Sequence, residues 1–120
     1  MKISDAIRLG SMLGPQCFGV LEEFGGTCAL GAAYKAAGLQ MELDSLHNFV
    51  LIEQTFPLLY RAWHIACPDC QRIQQDLGNA IAHLNDRHAW TRERIADWVQ
   101  ALEAIEEPSC APMTSTPTNR

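Results

Sequence analysis

The sequence has little positive charge, no long apolar run and too little length for two domains. Nine lysines and arginines stand against fourteen aspartates and glutamates, a formal net charge of −5, so no basic field gathers phosphate backbones over the whole surface. Nucleic acid is therefore a disfavoured partner. No stretch approaches the ~20 apolar residues of a membrane span, and Lys2, Asp5 and Arg8 interrupt the first ten residues, where no export signal is read. These absences lead to the expectation of a soluble, cytoplasmic protein with no membrane contact. At 120 residues the chain has the length of one domain. No Ser/His/Asp arrangement, phosphate loop, carboxylate pair or internal repeat is found, which leaves the common hydrolytic and nucleotide-binding chemistries without their residues.

What is present is an ordinary globular composition, 48% hydrophobic and 19% charged, so the chain is no acidic disordered polymer. A domain this small gains from a staple such as a metal. Residues 1–107 read as one helical domain, and residues 108–120, with three prolines, three threonines and two serines, read as a disordered tail. The fold expected is mainly α: five to six helices, a zinc knuckle and at most one short hairpin near residues 18–27.

Ser4 is the expected N-cap of a first helix that carries Ile7, Leu9, Gly10 and Leu13 on one face and ends at Gly14-Pro15. Thr27 is the expected cap of a second, small-residue helix starting at Cys28 and closed by Gly38, which suits a left-handed position. A third runs from Asp44 or Ser45 to about Phe56 with Leu46, Phe49, Val50 and Phe56 inward, although residues 49–52 also read as a strand. Pro57 then starts a short helix across residues 58–65. The stripe Ile73, Leu77, Ala80/Ile81, Leu84 marks another helix, which should end near Asn85-Asp86. Thr91 caps the last, with Ile95, Trp98, Val99, Leu102 and Ile105 forming its apolar face.

The five cysteines are an odd number, and in a reducing compartment a disulfide framework explains them poorly. Cys67, Cys70, His83 and His88 fall in the spacing C-x2-C-x12-H-x4-H, which suits zinc. A C-x2-C turn presents two thiolates to one ion, histidines near a helix end add two nitrogens, and four donors close a tetrahedron. His83 and His88 are five residues apart and would diverge by roughly 140° on a straight helix, so the helix must tighten or end between them. Cys28 reads as a small buried hydrophobe, Cys17 has no partner by spacing, and Cys110 lies in the tail.

This spacing resembles the two-cysteine, two-histidine zinc finger over residues 67–88. Gln74 and Ala80 stand where the finger has its core aromatic and leucine, and no strand pair is expected ahead of the helix. Arg87, Trp90, Arg92 and Arg94 form a candidate interaction patch. Across residues 69–97, however, four arginines meet five acidic residues, and an αα-corner explains the region better than a helix-turn-helix.

The Cys-Pro-Asp-Cys segment alone is similar to the C-x-x-C of all-α alkylhydroperoxidase-type and thioredoxin-like proteins, with Glu53 or His64 as a candidate base; the histidine of the former is Gln74 here, and the latter need a central sheet. The whole chain also resembles a group of small bacterial and phage proteins of unknown function, through Cys28-Ala-Leu-Gly-Ala32, His83-Leu-Asn-Asp86 and Trp90-Thr-Arg-Glu-Arg-Ile-Ala-Asp-Trp98. That resemblance implies a shared fold and no activity. The expected function is a non-enzymatic, zinc-binding interaction or regulatory protein. Its partner would be another protein, met through acidic faces around Glu22-Glu23, Glu42/Asp44 and Glu103/Glu106/Glu107. A thiol-disulfide oxidoreductase and a finger-like nucleic-acid binder are the alternatives.

Overall fold

A computed structural model describes residues 1–39, 45–61 and 63–106; the expected tail, with Cys110, lies outside them. The order is α1 (Ile3–Ser11), β1 (Glu22–Glu23), β2 (Gly26–Thr27), α2 (Ala29–Ala36), α3 (Ser45–Thr55), a 3-10 turn (Pro57–Tyr60), β3 (Ile65–Ala66), β4 (Ile73–Gln74), α4 (Leu77–Asp86) and α5 (Arg92–Glu106). The protein is thus mainly helical, with five α-helices among the described residues. It carries two short antiparallel hairpins, where one at most was expected: Glu22 pairs with Thr27, and Ile65 with Gln74.

The helix α1 packs against α2 and α5, while α4 packs against α2, α5, the 3-10 turn and the second hairpin. Ile7, Tyr34, Leu59, Leu77, Ile81, Leu84, Ile95 and Val99 are wholly buried between these elements. Each aliphatic side chain among them contributes about 1.5–3 kcal/mol by leaving water. The small residues of α1 and α2 allow a close crossing. A Cβ on Gly10 would run into the backbone of Ala32, so only glycine permits this approach.

Several local expectations give way to tertiary contacts. Lys2 is the N-cap of α1, with no capping bond from its side chain; Ser4 lies inside the helix and is buried, donating its N–H and hydroxyl to the carboxylate of Glu103 on α5. The buried side of α1 is Ile3, Ala6, Ile7 and Gly10, with Leu9 and Leu13 exposed. Cys28 replaces Thr27 as the cap of α2, its sulfur accepting from Gly31 N at 3.4 Å, and Gly38 has the expected positive φ of 79°.

Residues 49–52 belong to helix α3, whose Val50 is exposed and whose Ile52 and Phe56 are buried. Leu46 and Phe49 carry side chains outside the described ones. The helix expected across residues 58–65 shortens to the 3-10 turn, after which the chain extends into β3. The helix α4 begins after Ile73, because Asp76 accepts from Asn79 N at 2.7 Å and caps it there; Ile73 lies exposed in β4. In α5, Thr91 caps as expected, accepting from Arg94 N at 3.1 Å, and Ile95 and Val99 are buried. Ile105 is exposed while Glu103 is 4% exposed, so Glu103 cannot belong to an acidic surface.

Candidate metal centre

Two local devices bring the four expected donors together. The first is the turn between β3 and β4. Cys67 N donates to Arg72 O at 2.8 Å and Gln71 N donates to Cys67 O at 2.9 Å, which closes the loop around Cys-Pro-Asp-Cys. Gln71 stands at φ 70°, a left-handed position that a non-glycine residue adopts only under such constraint. The amides of Asp69 and Cys70 point at Cys67 Sγ, at 3.4 and 3.5 Å. A turn this tight brings its flanks alongside each other, which is why a strand pair precedes α4 against expectation. Residues 65–86 therefore run in strand–strand–helix order.

The second device is the end of α4. The helix stops at Asp86, as the five-residue histidine spacing requires, and Ala89 at φ 53° turns the chain back. His88 thereby comes round to His83, their Nε2 atoms 3.1 Å apart and their rings edge to face. Cys70 Sγ lies 3.3 Å from the same His83 nitrogen. One atom each from Cys67, Cys70, His83 and His88 lies within 4.8 Å of the others.

This arrangement can hold a metal ion. The sulfur of Cys70 and the nitrogen of His88 both crowd His83 Nε2, which has at most one proton to offer. A cation among the donors satisfies all of them at once. His88 Nδ1 faces Asp69 Oδ2 at 3.5 Å, and Trp90 Nε1 donates to the same oxygen at 3.0 Å. A carboxylate on Nδ1 leaves the Nε2 lone pair directed at the cluster. Asp69 and Trp90 thus support the site. Their contact spans twenty-one positions and has no sequence signal beyond an acid inside the knuckle.

The two sulfurs differ. Cys67 is wholly buried and Cys70 is exposed. The Arg72 amide, then the His83 and His88 side chains, hydrogen-bond the Cys70 sulfur and lower its pKa to about 6. Cys28, by contrast, is pushed up to about 11 by burial, in keeping with a packing role. Burial, then the charge of Glu23, also raises Cys17. Glu53 and His64 are exposed and neither joins the group.

The basic patch does not assemble as expected. Arg92 is 6% exposed and donates to the carbonyls of Gly14 at 2.7 Å, Ser11 and Pro15 at 3.2 Å and Thr27 at 3.3 Å, and to Thr27 Oγ1 at 2.9 Å. It ties the start of α5 to the loop after α1 and to β2. Trp90 is buried at 8% exposure, with Arg94 stacked 3.6 Å over its ring. Only Arg87 and Arg94 of the four are exposed.

Asn85, wholly buried at the end of α4, is a further structural residue missed in sequence. Its Oδ1 accepts from Gln16 Nε2 and Ala29 N at 2.8 and 3.1 Å, and its Nδ2 donates to Cys17 O at 3.1 Å. These bonds fasten the donor-bearing helix to α2 and the loop before β1. No described helix is long and apolar enough to cross a membrane. No protein-family model matches the chain, and no curated protein or solved structure matches it either.

Proposed function

We propose that the protein is a non-enzymatic zinc protein, in which the ion clasps the β3–β4 knuckle to the end of α4 and so stiffens a helical surface that another protein binds. The observation that carries this reading is the convergence of two sulfurs and two nitrogens within 4.8 Å. Sulfur at ~2.3 Å and nitrogen at ~2.0–2.1 Å from a tetrahedral zinc stand about 3.3–3.8 Å from one another. The separations of 3.3 Å for Cys70–His83 and 3.1 Å for His83–His88 are close to that spacing. Two thiolates with two imidazoles favour zinc over the hard, oxygen-seeking cations. Four protein donors leave no open position, as in a structural site rather than a catalytic one.

Metal analysis of protein made without a histidine tag tests the reading. The expected result is about one zinc per chain, lost on Cys67→Ser or His83→Ala; the same metal content in those variants would sink it. The exposure of Cys70 supports a second reading, thiol-disulfide exchange by the Cys67/Cys70 pair. Coordination and exchange exclude each other, since a bound thiolate is no free nucleophile. Insulin reduction by zinc-loaded protein that depends on both cysteines would reverse the order of the two readings.

A further inference from the structure

We propose that the metal centre is a peroxide-sensitive clasp, in which oxidation of Cys67 and Cys70 to a disulfide releases the ion and removes the metal link between the β3–β4 hairpin and α4. This rests on the zinc reading above and adds a means of regulating the site. Three observations carry it. One sulfur is open to solvent and the other is not: Cys70 is exposed, whereas Cys67 is wholly buried. A small oxidant therefore meets Cys70 first. The two sulfurs also lie in one turn, within 4.8 Å of each other, so joining them needs a local closure and no rearrangement of the helices.

The third observation is how the donors are distributed over the fold. Both sulfurs come from the hairpin turn, and both nitrogens come from α4 and the residues just after it. Oxidising the sulfur pair therefore removes every donor on one side of the clasp. The remaining histidine pair is bonded to nothing on the hairpin through the ion. The other described cysteines, Cys17 and Cys28, are buried, which directs the oxidant to the centre.

The chemistry balances with a peroxide as the two-electron oxidant. The Cys70 thiolate attacks one peroxide oxygen, the O–O bond breaks, and hydroxide leaves a sulfenic acid on Cys70. The Cys67 thiolate then attacks the Cys70 sulfur, the S–S bond forms, the S–O bond breaks, and a second hydroxide leaves. Two thiolates have lost two electrons, two protons from solvent turn the hydroxides into water, and zinc departs without a change of oxidation state. A dithiol reductant reverses the disulfide by exchange.

The test treats tag-free, zinc-loaded protein with hydrogen peroxide in the presence of a chromogenic zinc chelator. The expected result is release of about one zinc per chain, a Cys67–Cys70 disulfide in the peptide map, and recovery of zinc binding after dithiothreitol and added zinc. Cys70→His replaces the exposed sulfur with a nitrogen donor. It should keep zinc and release it about tenfold or more slowly under peroxide. Zinc retained by the wild type through peroxide treatment, with both thiols still alkylated after denaturation, overturns the redox proposal and leaves the metal reading intact. Protein that binds no zinc at all overturns both.

Discussion

Asp69 and Trp90 meet beside the Cys67/Cys70/His83/His88 group: the carboxylate of the cysteine turn accepts the indole N–H at 3.0 Å and with its Oδ2 also faces His88 Nδ1 at 3.5 Å. The residue that shapes the cysteine turn therefore orients a histidine that arrives from beyond α4. Removing the charge while keeping the shape isolates this role. Asp69→Asn should retain the fold and weaken zinc about 10–100-fold, measured by competition with a chelator of known affinity. Unchanged affinity would leave Asp69 a role in packing alone.

Arg92 joins α5 to the loops after α1 and before α2 through neutral oxygens of Ser11, Gly14, Pro15 and Thr27. Arg92→Ala removes all five of these hydrogen bonds, although Pro15 O and Thr27 O keep their backbone donors Thr27 N and Cys17 N, and should cost about 2–5 kcal/mol in denaturant unfolding. Arg94→Ala, at an exposed position, should stay within about 1 kcal/mol. If Arg92 were instead a surface contact for a ligand, its loss would spare stability.

Duplex DNA should bind no better than about 10⁻⁴–10⁻⁶ M at physiological salt, as the net charge of −5 and the inward turn of Arg92 together require. Fluorescence anisotropy with random duplex and single-stranded pools measures this. Tight binding abolished by Arg87→Ala/Arg94→Ala would bring back the nucleic-acid alternative.

Gly10 lies where a Cβ would collide with the backbone of Ala32. Gly10→Ala should destabilise by about 1–3 kcal/mol through overpacking, although alanine favours an isolated helix. A thermal or denaturant midpoint at or above that of the wild type would show that α1 and α2 can separate at little cost.

In the metal-free protein, the Cys70 thiol has a folded pKa lowered from 9.0 to about 6. Between these values the unfolded chain binds more protons than the native one, so this group's contribution is full above pH 9 and is lost as pH falls toward 6. The stability difference between chelator-treated wild type and Cys70→Ser should shrink over that window and vanish below it. Alkylation offers an independent check: Cys70 should react at neutral pH, and Cys28, pushed up to about 11, should not. Equal reaction rates at the two sulfurs would contradict the electrostatics of the turn.

Local signals in the sequence reported local structure well. Thr91 caps α5, Gly38 follows α2 in a left-handed conformation, Pro57 opens a 3-10 turn, and α4 ends at Asp86. Each rests on a hydrogen bond or a backbone restriction spanning only a few residues. The same short range made the four donors legible, since C-x2-C-x12-H-x4-H is set by the reach of one turn and one helix end. The apolar stripe misled at Ile73, because the Asp76 cap starts the helix after it and periodicity carries no marker of where a helix begins.

The sequence by itself determined the mainly helical class, the Thr91 cap, the breaks at Gly38 and Pro57, and the set of Cys67, Cys70, His83 and His88. Tertiary structure decided which side chains face inward: Arg92 and Glu103 are buried because loop carbonyls and Ser4 meet them there, while Ile73 and Ile105 are left at the surface. It also set Asp69 against His88 and Trp90 and exposed one sulfur of the pair while burying the other. The physical reason is that burial and hydrogen bonding depend on partners brought from far along the chain, and no local pattern of residue types encodes which distant carbonyl or carboxylate will be there.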